Sequence, residues 1–477
     1  MPRRTPLVRP RTSAPPPEGH PGGATLAVTA TATAVALMNY TAPMPTLPAV
    51  AATLGTSPSA HAWLLNGTPL GLAAFLLVAG GLADAYGRRR VFLLGTLALG
   101  LTTALGALAD STPAFTAARI AQGAASAAVL AGSLGLLAQA YPAGRDRIRA
   151  TGAWGASVSG GIALGPLLAG ALGLVDWRLA YTALGAAALV TAAAGARRLP
   201  EPTTARSGTG TPPEPTTDPT TAPNGTGAPR PDIAGAVTLG LALSALLTAL
   251  TLGRDSWLRL PVGLLLLASA ALTALFAAME KRGKNPMIDL ALLRRPAFLT
   301  STLGALFTGL AVIGLFSVVP ALLQAGTGMS PLDTAWLFLL WSGTAFVSAL
   351  QTRRLAARLS AAHQLTLGFV LSAAGVLTFL GALEGHAGAW RLLPGLLVAG
   401  AGSGLLNAAL PRLAVDSVPP ERAAMGSGAN NTARYIGSSA GVALTLALAT
   451  AGPDAALAAS AALALTGAAL TLVLARR

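Results

Sequence analysis

The 477-residue chain has no cysteine, so disulfides and thiolate metal sites are both excluded. Its four histidines, His20, His61, His363 and His386, lie far apart and outside the apolar runs, which leaves a structural zinc site without a ligand set. Charge is scarce: Asp, Glu, Lys and Arg make up 10% of residues, where a soluble globular protein carries about 25%. The 17 acids all fall in tails, loops or the ends of apolar runs, and no His, Asp, Glu or Ser/His constellation shares a site. An enzyme is therefore not expected, and neither is a metal or a cofactor. The formal charge of +15 and a pI near 11.5 point to nucleic acid only when cations cluster on a domain. Here they sit in short loops between apolar stretches, so no nucleic-acid partner is expected.

What the chain has is apolar surface, 53% hydrophobic residues with a mean hydropathy of +0.61. This implies an all-α polytopic membrane protein with the lipid bilayer as a partner. Fourteen stretches of spanning length lie between residues 24 and 474. Of the 32 cations, 26 fall in alternate loops and tails, a bias that a missed span would scramble, so it supports both the count and cytoplasmic N- and C-termini. Residues 1–23, rich in Pro and Arg, read as a disordered cytoplasmic tail. Residues 199–231, dense in Pro, Thr and Gly, read as a flexible cytoplasmic linker. Between and beyond them lie an N-terminal six-helix bundle (24–198), two inserted spans (232–280) and a C-terminal six-helix bundle (281–477).

Polar residues inside or beside the apolar runs are the candidates for mechanism. Gly80-Gly-Leu-Ala-Asp84-Ala-Tyr-Gly87-Arg88-Arg89-Arg90 joins two spans. A buried carboxylate is costly without a partner, and Gly87 permits a turn tight enough to bring the arginines back to Asp84. In the first span, Met38-Asn39-Tyr40-Thr41-Ala42-Pro43-Met44-Pro45-Thr46-Leu47-Pro48 carries three prolines, which break regular helix and free carbonyls toward a cavity. Arg119 and Gln122 lie one turn apart in the fourth span, where an arginine should face the interior or a wet cavity, with snorkelling to the interface as the alternative. The fifth span holds Gly161-Ile-Ala-Leu-Gly165-Pro166-Leu-Leu-Ala-Gly170, whose small residues at four-residue spacing suit close helix packing. The thirteenth opens with Asn430-Asn431-Thr-Ala-Arg434 and continues to Gly437-Ser-Ser-Ala-Gly441, a counterpart of the Gly161 and Gly165 pair.

These stretches resemble the major facilitator superfamily, in particular its fourteen-span drug:proton antiporters. The first matches the loop pattern G-x-L-a-D-r-x-G-r-r-r, with Gly80, Asp84, Gly87, Arg88 and Arg89 in the gating places. The fifth-span run is similar to the antiporter motif G-x-x-x-G-P-x-x-G-G, with Ala169 replacing one glycine. The first-span element is similar to L-D-x-T-x-x-N-x-A-L-P, with Asn39 where that element has Asp and Met44 where it has Asn. The resemblance implies two bundles around a midplane substrate site, export by alternating access and proton antiport, and a contact between Asp84 and the start of the thirteenth span. It implies a transport path along Asn39, Tyr40, Arg119, Gln122, Asn430, Asn431 and Arg434. An amphipathic or hydrophobic small molecule, a monomer and the bacterial plasma membrane are the matching expectations, with an importer or uncoupled facilitator of a polar solute as the alternative. Because an amide cannot titrate, Asn39 leaves either a boundary acid as proton carrier, with Asp84 the first candidate, or efflux coupled differently, for instance by a cationic substrate leaving on its own gradient.

Overall fold

A computed structural model describes residues 21–141, 145–200, 233–253, 258–282, 292, 294–355, 359–384, 388–419 and 423–476. Residues 1–20 of the N-terminal tail and 201–231 of the linker lie outside the described residues, while 21–23, expected in the tail, begin the first helix. In the lipid-apolar sequence every backbone amide must bond within its own segment, and the described residues are accordingly almost all helix. The helices are α1 (Pro21–Thr41), α2 (Pro43–Thr53), α3 (His61–Tyr86), α4 (Arg88–Ala107), α5 (Thr112–Ala140), α6 (Arg145–Leu172), α7 (Trp177–Arg198), α8 (Ile233–Gly253) and α9 (Leu260–Arg282). They continue with α10 (Pro296–Phe307), a π-helical turn over Thr308–Ile313, α11 (Gly314–Thr327), α12 (Pro331–Leu355), α13 (Ala361–Leu377), α14 (Leu393–Asp416), α15 (Ala423–Ala449) and α16 (Pro453–Ala475). Among the described residues eleven helical stretches are long and apolar enough to cross a membrane, and two shorter apolar helices, Val237–Gly253 and Ala361–Leu377, add to them.

Local chemistry sets the boundaries. Pro stands in the first turn of α2, α5, α10 and α16, where its missing N–H costs nothing. Asp176 Oδ1 accepts from the Arg178 amide to cap α7. Gly87, with φ +98°, is in a conformation that disfavours side chains, and it makes the turn from α3 directly into α4.

Two groups of helices pack internally. Helices α1, α3, α4, α5, α6 and α7 form one group, and α10 to α16 the other, while α8 and α9 pack on each other and reach the rest through α3 and α15. Within the groups the same device recurs. A side chain at Gly161 or Gly165 of α6 would strike the backbone of Ala34 and Met38 in α1. A side chain at Gly437 or Gly441 of α15 would strike Leu306 and Leu310 in the stretch running from α10 into the π turn. Ten residues beyond Met38 and beyond Leu310 stand Pro48 and Pro320. The fifth helix of each group thus lies against its first, glycine on backbone, in the same register.

The first helix of each group is also broken at the same place: α1 gives way to α2 at Ala42, and α10 passes through the π turn into α11. Pro43 has no N–H to offer Asn39 O, the carbonyl four residues before it, so that oxygen is released from the helix. The carbonyl in the matching position, Ala311 O, accepts from Ser460 Oγ of α16 at 2.7 Å.

Candidate functional site

The two groups meet around a cavity of about 730 Å³ of atom-free space, part of it continuous with the exterior. Tyr40 and Met44 of the broken first helix, Ser159 and Ile162 of α6, Phe316 of α11, Phe338 and Trp341 of α12, Ser403 and Asn407 of α14 and Arg434 of α15 contribute to its wall. Calling the face on which α1 begins the near face, the groups are closed together on the far side. Gln324 of α11 donates to Pro45 O of α2 at 2.7 Å, and Gly170 of α6 lies against the backbone of Pro331 and Leu332 in α12. At mid-depth Tyr40 OH and Ser438 Oγ share a hydrogen bond of 3.0 Å across the divide, and the Tyr40 ring meets Tyr435 edge-on at 6.0 Å. Toward the near face the stripe of α6 that lines the cavity continues through Gly155 and Gly152, where an added Cβ would meet nothing within 4 Å. The groups are therefore closed together on the far side, and the cavity's open side runs along α6 toward the near face, while α3 and α15 stay in contact, where a Cβ at Gly428 would meet the Leu77 side chain.

Behind Tyr40 lies a second polar cluster, fully buried. Arg119 of α5 and Asn39 of α1 are 0% exposed, as is Gln122. Arg119 Nη1 donates to the released Asn39 O at 2.7 Å and to Gln122 Oε1 at 2.7 Å, and Nη2 reaches Tyr40 O at 3.4 Å. Gln122 Nε2 donates to Thr102 O at 3.2 Å. Asn39 donates through Nδ2 to Val35 O at 3.3 Å, and its Oδ1 stands 3.2 Å from Thr103 Oγ1, whose hydroxyl donates to Leu99 O at 2.6 Å. An arginine in a span is costly unless carbonyls or water satisfy it, and the proline break supplies the carbonyl. Arg119 thus faces the protein interior and does not snorkel.

The seven transport-path candidates separate in space. Tyr40 and Arg434 line the cavity; Asn39, Arg119 and Gln122 form the cluster behind it. Asn430 turns away, donating from Nδ2 to Ser301 O at 3.0 Å and Oγ at 2.9 Å, so it ties α15 to α10. Asn431 Nδ2 donates to Ser427 O of its own helix at 3.0 Å. Arg434 Nη2 donates to Asn407 Oδ1 at 2.8 Å. In the loop from α3 to α4, Arg88 Nη1 donates to Gly135 O of α5 at 3.2 Å, and Arg89 donates to Ala196 O at 2.9 Å and Leu199 O at 3.2 Å, satisfying carbonyls at the end of α7. A side chain at Gly80 would meet nothing within 4 Å. The Asp84 side chain lies outside what the structure describes.

Sequence reasoning passed over the aromatic wall. Phe316 and Trp341 stack at 4.3 Å with their planes 10° apart, and Phe338 meets Trp341 at 5.0 Å and 60°. Phe338 and Trp341 are one helical turn apart, which is a readable spacing, but nothing in it separates a cavity wall from a packed core. Ser403 and Asn407, four residues apart on α14, likewise share one helix face.

This arrangement of a two-group helical body around a central cavity has counterparts among known proteins. The chain is 31% identical over 414 residues to the Probable actinorhodin transporter of Streptomyces coelicolor, covering 83% of this chain and 67% of that one. It is 30% identical over 387 residues to Multidrug resistance protein Stp of Mycobacterium tuberculosis, covering 80% and 67%. A solved structure of an auto-inhibited POT family peptide transporter superposes with a TM-score of 0.66 over 95% of this chain and 97% of that chain, at 17% identity, a likeness of fold alone. The family model described as Major Facilitator Superfamily matches residues 29–442, and the chain belongs to that superfamily.

Proposed function

We propose that the protein exports drugs or hydrophobic secondary metabolites across the bacterial plasma membrane by alternating access. The observation that carries this reading is the cavity wall, in which Phe316, Phe338 and Trp341 present flat apolar surface beside a few polar groups. Relatives named for actinorhodin, puromycin, methylenomycin A and tetracenomycin C support the export of antibiotics. With the N-terminus cytoplasmic, as the cation bias favours, the near face is the cytoplasmic one and the open cavity stands ready to load from inside the cell.

The architecture that goes with this reading is fourteen spans, two six-helix bundles with α8 and α9 inserted between them. The broken α1–α2 and α10–α11 each count as one span, and the recurrent glycine register supports the two bundles as repeats. The loop through Gly80, Asp84, Gly87, Arg88 and Arg89 acts as the gate on the near face, with Asp84 meeting the positive end of α15 when that face closes. Coupling on this reading runs either through protons carried by an acid at the boundary, because position 39 is an amide, or through the charge of the cargo itself.

The test is expression in an efflux-deficient bacterial strain with a panel of aromatic antibiotics, including puromycin, alongside the Gly155→Trp variant, whose side chain would occupy the empty stripe of α6. The wild-type chain should raise tolerance to members of the panel and lower their accumulation, and the variant should be made, inserted and inactive. No change in tolerance or accumulation for any compound, with the protein present in the membrane, would defeat the proposal.

A further inference from the structure

Among the described residues that form the cavity wall there is one formal charge, and it is positive. Arg434 is half-buried at that wall, and one N–H of its guanidinium is donated to Asn407 Oδ1 at 2.8 Å. A guanidinium has five such donors. Among the described residues no Asp or Glu contributes to the wall and no carboxylate pairs with Arg434. Two further groups of the same wall are buried with hydrogen-bonding capacity unused, Trp341 Nε1 and Ser403 Oγ. Buried polar groups are ordinarily satisfied, so an unused indole N–H on the same wall as the guanidinium leaves that wall short of acceptors.

We infer that the cavity takes planar aromatic compounds bearing an anionic group, a carboxylate, sulfonate or ionised phenol, with the anion on Arg434 and the ring along the Phe316, Phe338 and Trp341 wall. The inference rests on the export reading and adds the charge of the cargo. A cationic drug would face Arg434 as a like charge in a site of low dielectric, and a neutral one would leave the guanidinium uncompensated each time the cavity closes and sheds water. An anion answers both problems, and Arg binds planar oxyanions in bidentate geometry. Asn407 holds the guanidinium by accepting from it without neutralising it, which an acid at that position would do.

The experiment uses the full chain purified in a neutral maltoside detergent, with quenching of tryptophan fluorescence by two ring-matched probes, 1-pyrenesulfonate and 1-pyrenemethylammonium. Wild-type protein should bind the sulfonate ~10-fold or more tightly than the ammonium, the scale of one charge-assisted hydrogen bond. Arg434→Gln and Asn407→Asp should each bring the two probes to about equal affinity, the first by removing the charge and the second by pairing it, and Arg434→Lys should keep most of the preference. Size-exclusion profiles matching wild type show that the variants are folded. Equal affinities in the wild type, a preference for the ammonium, or a sulfonate preference that survives both neutralising variants would overturn the inference. Export of neutral or cationic antibiotics by the chain in cells, together with any of those results, would leave the transport reading standing and remove only the charge assignment; binding of neither probe and export of nothing would remove both.

Discussion

Replacing Arg119 by Met keeps the length and apolar stem of the side chain and removes its head, which tests what the proline break requires. Two acceptors now satisfied at 2.7 Å, Asn39 O and Gln122 Oε1, would be left in a site with 0% exposure. A buried acceptor without a partner costs about 1–3 kcal/mol, so the pair loses roughly 2–6 kcal/mol. Against this stands relief from burying a cation that has no acid beside it, a desolvation cost of several kcal/mol before its hydrogen bonds are counted. The first effect should win, because Asn39 O cannot return to its own helix while Pro43 follows it. The second offsets part of it and leaves a net loss on the order of 1–3 kcal/mol. The assay is thermal unfolding of the purified protein in detergent, read by tryptophan fluorescence, with efflux measured in parallel. Arg119→Met should lower the unfolding midpoint by several degrees and impair efflux, since Tyr40, which faces the cavity, is the next residue along the same backbone. Arg119→Lys should fall between, because an ammonium offers a point charge and not a fork. An Arg119→Met protein with wild-type midpoint and wild-type efflux would refute the claim that this side chain holds the broken helix.

The glycine contacts differ in consequence: Gly437→Ala should destabilise by ~1–3 kcal/mol because its Cβ strikes the Leu306 backbone, whereas Gly155→Ala, with open space, should be neutral or stabilising by up to ~1 kcal/mol. Thermal unfolding of the two variants side by side checks this, and equal shifts would mean the close approach is not what fixes α15. Asp84→Ala and Arg88→Ala should each abolish or strongly slow efflux while leaving the amount of protein in the membrane unchanged, and wild-type efflux from both would remove the gate assignment. Asn39→Asp should give efflux a pH dependence that the wild type lacks or shows more weakly, since it places a titratable group one residue from Tyr40 and beside the Asn39–Arg119 bond; an unchanged pH profile would take position 39 out of the proton path.

Much of this molecule was legible in its sequence because membranes impose strong local rules. Apolar run length and cation placement give the helices, and Pro43, Gly161 and Gly165 act through local backbone chemistry, so a broken first helix and close packing by the fifth could both be expected. The site was legible only in part. Arg119 and Gln122 were recognisable as a pair on one face, but nothing in their spacing says that the acceptor is Asn39 O in another helix. Asn430 and Arg434, one turn apart, looked alike as cavity residues, yet Ser301 takes the first and the cavity keeps the second. The aromatic wall was least visible, since Phe316 and Trp341 belong to different helices and apolar residues in spans are ordinary. Tertiary neighbours decide such roles, and one sequence does not contain them.

Coupling follows from where the two span cations end up. Arg119 is sealed among carbonyls behind Tyr40, whereas Arg434 stands at the cavity wall, where the anion of the inferred cargo would meet it. If an anion neutralises Arg434, the loaded carrier is neutral at the cavity and the empty one is positive. Each cycle then moves one negative charge out of the cell, and a potential negative inside contributes about 2.3 kcal/mol per 100 mV to that movement without any proton. The same potential draws the empty, positive carrier toward the form open to the cytoplasm, the state with the near face open if the N-terminus lies inside. Proton antiport through Asp84 makes a different demand, since transport must then move protons whatever the membrane voltage. Proteoliposomes separate the two. Under a potassium diffusion potential set with valinomycin, outward movement of 1-pyrenesulfonate should accelerate when the interior is made negative, with no change in lumenal pH. Proton flux that tracks substrate and disappears in Asp84→Ala would instead place the coupling in the gate loop, and a flux indifferent to voltage would mean that Arg434 does not carry the moving charge.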